Sequence, residues 1–341
     1  MLSHRLPLLI TGAAGVAGFN AFHALQRKYS GQVIGIRPRQ TWKLVAPGIL
    51  AQDAKDADEM RSLFDRFGFR SVLNCVGNCA LKSCELDPAM AHTVNVQSAQ
   101  VIAEASRRHG ARLVHLSSDL VFSGTRAGNH VESDPTDPVT VYGKTMVQAE
   151  EILQAKTPDA AILRISLPMG PSFNRHAGAI DWIQSRFRAH RPATLYFDEV
   201  RSCTYCSDLT DVCEKFLSGN ASGIFHCGGP EPITLYQIAQ VVNRVGDYRP
   251  ELLKGCPRIE AGPIPPRAGD VSMSSARLIA ELGAQPFERW PAGDDLVPGG
   301  RDWHFDRPAD ETRSVVEIGR RLYQKQKALT RFNEGFCESE K

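Results

Sequence analysis

Through the first half of the chain, short apolar runs alternate with stretches whose apolar residues recur at helical spacing. The runs at 8–10, 33–36, 71–77, 112–118 and 160–165 read as buried strands, the third turning at its end. Between them, residues 16–29, 56–67, 89–109 and 142–155 read as helices. The second of these presents Met60, Leu63, Phe64 and Phe67 on one face, and the third has Val96, Ala99, Val101 and Ile102 as apolar positions. Strands alternating with crossover helices predict an α/β fold, a Rossmann-like doubly wound parallel sheet. From about Met169 the pattern gives way to loops, shorter helices and recurrent Gly/Pro punctuation, at Gly228-Gly229-Pro230 and Pro265-Pro266-Arg267 among others. That change predicts residues 1–168 as the sheet domain, with 200–228 returning to it. A smaller C-terminal substrate-binding domain would come from 169–200 and 229–300, and 301–341 would form an extension carrying an amphipathic helix at 312–330 and a frayed end.

The first strand leads into Thr11-Gly12-Ala13-Ala14-Gly15-Val16-Ala17-Gly18, and a helical pattern follows at once. Strand, glycine turn and helix suit a dinucleotide pyrophosphate: Gly12 permits the turn, Gly15 lets phosphates approach the backbone, and Gly18 lets the helix pack on the strand. At the end of the second strand, where an acid would bind the ribose hydroxyls of NAD(H), the chain has Arg37-Pro38-Arg39. Arginines there accommodate a 2′-phosphate, so NADP(H) is expected in preference to NAD(H). Asp53 is expected either near adenine or as a helix cap.

Composition narrows the picture further. A net charge of +2 over 341 residues gives no reason to expect nucleic acid as a partner. No apolar run approaches the ~20 residues of a membrane span, and a reduced, cytoplasmic setting is expected from nine irregularly spaced cysteines. Cys203-x-x-Cys206 has no second pair, so no metal site is expected.

The middle of the chain carries the chemistry. Leu116-Ser117-Ser118-Asp119-Leu120-Val121-Phe122-Ser123-Gly124 resembles the S-[ST]-D-Y-V-F-x-G segment of the dTDP-4-dehydrorhamnose reductases, within the extended short-chain dehydrogenase/reductase superfamily. Pro138-Val139-Thr140-Val141-Tyr142-Gly143-Lys144-Thr145 resembles their P-x-N-V-Y-G-K-[ST]; Asn74, Cys84-Glu85, Val94-Asn95, Thr204-Tyr205 and Pro266-Arg267-Ala268-Gly269-Asp270 agree in order. The resemblance spans about 8–282. It implies that Tyr142 donates a proton to a carbonyl oxygen, that Ser118 polarises the same oxygen, and that a nicotinamide supplies hydride. It also implies cofactor contacts from Gly12, Ala14, Gly15, Val16, Gly18, Ala54, Cys75, Val76, Gly77, Asn95 and Tyr142. Substrate contacts are implied from Asn78, Leu120, Leu167, Arg201 and Arg267.

Three positions depart from the family. The lysine expected four residues after the tyrosine is Met146, and Lys144 projects from a different side of the helix. Leu120 and Leu167 replace aromatics expected in the sugar pocket. Arg175, His176, Arg188, Arg201 and Arg267 are candidates for holding a diphosphate, Arg201 and Arg267 foremost, while Trp182 and Trp290 either stack on a base or pack in a core. These features predict a reductase of a small-molecule sugar nucleotide, impaired by Met146. The alternative is a non-catalytic NADP-binding protein resembling the β subunit of methionine adenosyltransferase. An epimerase or dehydratase is disfavoured because it relies on the same Tyr/Lys pair. A homodimer is one expected use of the C-terminal extension.

Overall fold

The protein is described here from a computed structural model, which covers residues 2–174, 178–307 and 313–323. In chain order its strands and helices are β1 (Leu8–Thr11), α1 (Val16–Lys28), β2 (Val33–Arg37), β3 (Ile49–Ala51), α2 (Ala57–Phe67), β4 (Ser71–Asn74), α3 (Leu81–Leu86), α4 (Pro88–His92), α5 (Ser98–His109), β5 (Arg112–Ser118), α6 (Val141–Lys156), β6 (Ala161–Ile165) and β7 (Pro168–Met169). There follow α7 (Ala179–Arg188), β8 (Ala193–Tyr196), β9 (Val200–Arg201), β10 (Thr204–Tyr205), α8 (Cys206–Ser218), β11 (Gly223–Cys227), β12 (Ile233–Thr234), α9 (Leu235–Val245), β13 (Leu253–Cys256), α10 (Ala276–Leu282) and α11 (Arg313–Tyr323).

Seven strands form one parallel sheet in the order β11-β6-β5-β4-β1-β2-β3. The chain winds outward from β1 in one direction and then from β4 in the other, so the crevice between β1 and β4 is the topological switch point where such sheets bind ligands. Every residue of β1, β4 and β5 is buried, the polar Asn74, Arg112, His115, Ser117 and Ser118 included, so these strands show no alternation of buried and exposed positions. On one face Ala21, Phe22 and Leu25 of α1 pack with Leu209, Val212, Cys213 and Phe216 of α8 against the sheet. On the other, Met60, Leu63 and Phe64 of α2 meet Ile102 and Ala103 of α5 and Leu153 of α6. The sheet is thus covered on both sides. The second half builds its own core from Ile180, Ile183 and Phe187 of α7, Ile238, Ala239, Val241 and Val242 of α9, and Trp290.

The helix expected at 89–109 is not one regular helix. Asp87 caps α4 by accepting from the Met90 N–H (2.9 Å), and a π-helical turn over Thr93–Gln97 separates α4 from α5. Such bulges recur at functional sites, and this one carries the buried Asn95. The helix expected at 312–330 is described over Arg313–Tyr323; its remainder and the end at 334–341 lie outside the described residues, as do Arg175 and His176. No described helix is long and apolar enough to cross a membrane.

Candidate active site

In the turn after β1, two of the three spaced glycines are sterically required. Gly12 has φ +64°, and a Cβ on it would lie 2.3 Å from the Cys75 carbonyl oxygen. A Cβ on Gly18 would lie 2.3 Å from the Gly12 oxygen, so α1 approaches the turn more closely than any other residue allows. Gly15 is different: it is exposed, caps α1 without a side chain, and a Cβ there would meet nothing nearer than 3.5 Å. The Gly15 backbone is therefore unobstructed at the N-terminus of α1, with Ala14 and Val16 on either side of it. Side chains tie the strand ends beneath. The Thr11 hydroxyl donates to Asn74 Oδ1 (2.7 Å), and Asn74 Nδ2 meets His115 Nδ1 (2.8 Å). Burial lowers the His115 pKa to about 4, so the ring is neutral and Nδ1 accepts.

At the end of β2, Arg37 donates from Nε to the Leu44 carbonyl (2.6 Å) and from Nη1 to the Pro38 carbonyl (3.2 Å), bracing the loop that follows. Arg39 is exposed and pairs with Glu59 of α2, whose other oxygen accepts from the Asp53 N–H (2.9 Å). The α2 cap is Asp56, accepting from the Asp58 and Glu59 N–H groups, so the expectation that Asp53 caps a helix is corrected by three residues. Asp53 lies beyond β3 and pairs with Lys55 at 3.4 Å, while Ala54 is buried against α2.

Beyond β4, Cys75 and Val76 are half-buried and Gly77 is exposed. The backbone N–H of Asn78 donates to Asn95 Oδ1 (2.7 Å), and Asn95 Nδ2 donates to the Thr145 hydroxyl (2.8 Å), which donates to the Tyr142 carbonyl (2.7 Å). The π turn thus spends its asparagine joining the loop after β4 to the helix that carries the tyrosine. This linking role of Asn95 and Thr145 is not visible in spacing alone.

Ser118 ends β5 and caps the 3-10 turn Asp119–Val121, accepting from the Leu120 N–H (3.2 Å). Thr140 caps α6 by accepting from the Gly143 N–H (2.9 Å), and Glu85 of α3 accepts from the Val141 N–H (2.7 Å). A Cβ on Gly143 would stand 2.1 Å from the Leu120 oxygen. That close approach sets the first turn of α6 against the turn after β5 and brings the Tyr142 phenol to the Ser118 hydroxyl. Burial is the main force pushing the Tyr142 pKa up, Cys79 adds to it, and the interaction with Ser118 opposes it. No ammonium contributes. Met146, 2% exposed, packs with Leu120, Val121, Phe122, Tyr142 and Met273, and Lys144 is exposed. The face of α6 that would present a cation beside the phenol is apolar.

Four residues further on, Glu150 is buried, accepting from Arg164 Nε and Nη2 (2.9 and 2.7 Å) and from the Ser117 hydroxyl. This bidentate pair fixes α6 against β5 and β6.

The substrate candidates separate. Leu120 is buried, and Leu167 and Asn78 are half-buried. Arg201, expected near a diphosphate, is 3% exposed; its Nη1 lies 3.2 Å from Asp119 Oδ2 and its Nη2 2.6 Å from Glu199 Oε1. Its charge is spent in the interior. Arg267 retains exposure: it stacks 4.7 Å over the Tyr196 ring and lies 3.7 Å from Glu199 Oε2, with no hydrogen-bond partner at Nε. Arg188 donates to the Tyr248 hydroxyl (3.2 Å). Trp290 is a core residue at 1% exposure, whereas Trp182 is half-exposed. The described cysteines are free thiols, and no group of described residues could hold a metal ion.

A parallel sheet in this strand order, with its glycine turn at the switch point, Ser118 at the end of β5 and Tyr142 in the first turn of α6, is that of an extended short-chain dehydrogenase/reductase fold. Residues 6–293 match the family described as RmlD substrate binding domain, and the chain belongs to that family. It is 27% identical over 241 residues to a dTDP-4-dehydrorhamnose reductase of Aggregatibacter actinomycetemcomitans, covering 68% of this chain and 76% of that one. It is also 27% identical over 237 residues to methionine adenosyltransferase 2 subunit beta of Xenopus laevis, covering 68% and 69%. Among solved structures, a dTDP-4-dehydrorhamnose reductase of Bacillus anthracis in complex with NADP shares the fold, with a TM-score of 0.72 at 18% identity over 83% of this chain and 95% of that one.

Proposed function

We propose that this chain is an NADP(H)-dependent reductase of a nucleotide-linked keto-sugar. The observation that carries the reading is the convergence of Ser118 and Tyr142 at the end of β5, one strand beyond the crevice that the glycine turn opens. The exposed, unobstructed Gly15 backbone at the N-terminus of α1 suits a pyrophosphate, and Arg37 and Arg39, with no acid at the end of β2, favour a 2′-phosphate. When bound, the nicotinamide supplies a hydride to the carbonyl carbon. Tyr142 transfers its phenolic proton to the carbonyl oxygen as negative charge develops there. Ser118 donates a hydrogen bond to that oxygen, stabilising the same charge. The raised Tyr142 pKa keeps the phenol protonated, which suits reduction and handicaps the reverse oxidation.

Measurement of NADPH oxidation with a panel of keto-sugar nucleotides, dTDP-4-dehydrorhamnose included, tests this directly. Wild-type turnover that Tyr142→Phe abolishes supports the reductase. The buried Met146 favours a second reading, a cofactor-binding protein without turnover, consistent with the methionine adenosyltransferase subunits among its relatives. An inert wild type that gains turnover on Met146→Lys selects that reading.

A further inference from the structure

Four charged side chains run in alternation from the Ser118 hydroxyl toward the surface. Ser118 Oγ donates to Asp119 Oδ1 at 3.2 Å. Asp119 Oδ2 accepts from the Ser166 hydroxyl at 2.7 Å and faces Arg201 Nη1 at 3.2 Å. Arg201 Nη2 donates to Glu199 Oε1 at 2.6 Å, and Arg267 Nη1 stands 3.7 Å from Glu199 Oε2. Asp119, Arg201 and Glu199 are 3%, 3% and 1% exposed, and only the Arg267 side chain, at 24%, reaches solvent. Two acids and two bases balance, so the row is neutral.

The bond to Ser118 is the weak member. An O–H···O distance of 3.2 Å is longer than the usual ~2.7–2.8 Å, whereas Ser166 bonds the same carboxylate at full strength. Asp119 can afford a weak bond because Ser166 and Arg201 satisfy its other oxygen. An isolated buried carboxylate would draw the nearest hydroxyl hydrogen tightly, since charge-assisted O–H···O⁻ bonds shorten to about 2.5–2.7 Å. A Ser118 hydrogen held in that way would not be free for a substrate carbonyl.

We infer that Arg201 is a positioning residue: by neutralising Asp119 it leaves the Ser118 hydrogen loosely held and transferable to the substrate oxygen. Glu199 aligns Arg201 from the far side, and the Nε of Arg201, buried without a hydrogen-bond partner, shows that the guanidinium is placed for its two carboxylates alone. This inference rests on the reductase reading given above, because it needs Ser118 to act on a carbonyl.

The test compares Arg201→Met, Asp119→Asn and the double variant with wild type, reading kcat, KM and the NADPH Kd, together with crystal structures of all four. Arg201→Met is expected to lower kcat by about 30-fold, part of the ~100- to 1,000-fold that loss of a whole oxyanion donor costs, with the NADPH Kd and the KM within about threefold. Asp119→Asn in that background removes the unpaired charge and is expected to restore kcat at least about tenfold, a rescue that mere destabilisation would not give. The crystal structures should show the Ser118–Asp119 distance contracting in Arg201→Met and relaxing in the double variant. An unchanged kcat, or a loss that the second substitution deepens, overturns the inference. An inert wild type refutes the reductase reading instead, and the Ser118–Asp119 distance then decides alone whether Arg201 sets the serine: no contraction refutes it.

Discussion

Replacing Met146 by lysine places a charge where the fold has left only apolar surface. Positions four apart on α6 bring side chains within about 5–6 Å. At an effective dielectric constant of about 20, a unit charge about 6 Å from a phenolate stabilises it by roughly 3 kcal/mol, or about two pH units of Tyr142 ionisation. Glu150, the acid one turn further along, is already held by Arg164, so it does not neutralise the new ammonium. The substitution also gives up the burial of Met146, at a cost of about 2 kcal/mol. Met146→Lys is therefore expected to melt earlier in the free protein and to be stabilised by NADP more than the wild type is. The sensitive assay is the pH profile of kcat for keto-sugar reduction. The acid form of Tyr142 is the active one, so activity falls as pH rises through its pKa. Wild type should hold its rate far into the alkaline range, whereas Met146→Lys should lose it about two pH units sooner and gain roughly 100-fold in the oxidation direction at mildly alkaline pH. Superimposable profiles would refute the reasoning, since they would mean that position 146 does not face the phenol.

Three further outcomes follow from other parts of the site. Substituting Arg37 and Arg39 together by alanine should weaken NADPH binding by about tenfold or more and leave NADH binding nearly unchanged, measured by fluorescence titration; equal losses would show that neither arginine reads a 2′-phosphate. Gly18→Ala drives a methyl into the Gly12 carbonyl, so it should lower stability by about 2 kcal/mol or more in denaturant unfolding and weaken both cofactors alike. His115 and His226 are held neutral by burial, with pKa values near 4, whereas the unfolded chain takes up protons near 6.5. Stability from this source is complete above that higher value and is lost as pH falls toward 4, by up to about 3 kcal/mol per ring. His115→Asn should flatten this acid loss in urea titrations, and an unaltered pH slope would count against a neutral ring.

Much of the sheet was legible because buried parallel strands are short apolar runs bounded by turns. The strand at 112–118 and the helix beginning at Val16 are placed as the pattern predicts. The caps Asp56, Thr140 and Asp87 were not read; the one cap expected, Asp53, lies three residues before the real one. The π turn at Thr93–Gln97 was not legible, since its apolar spacing passes for an ordinary helix. The short β3, β7, β9, β10 and β12 strands were also missed, being two or three residues long and set by their partners rather than by local periodicity. The longer β8, β11 and β13 were missed as well, β11 although it forms an edge of the central sheet. At the candidate site, Ser118, Tyr142 and Met146 are named through the resemblance to the family's motifs. The interior placement of Arg201 could not, because nothing local says that a basic residue will face Asp119, 82 positions away, rather than solvent. Glu199 and Gly143 escaped notice for the same reason: each matters through a contact distant in sequence.

The central claim is that a Ser–Tyr couple lacking its lysine still delivers a proton to a reduced carbonyl. A single-turnover experiment tests it most directly: enzyme in excess over NADPH is mixed with dTDP-4-dehydrorhamnose and related keto-sugar nucleotides, and the near-ultraviolet absorbance of the reduced nicotinamide is followed. The account predicts loss of that absorbance with at least one keto-sugar in the wild type and a rate at least about 100-fold lower in Tyr142→Phe. Tight NADPH binding with no loss of absorbance for any keto-sugar, or equal rates in the two proteins, would contradict it.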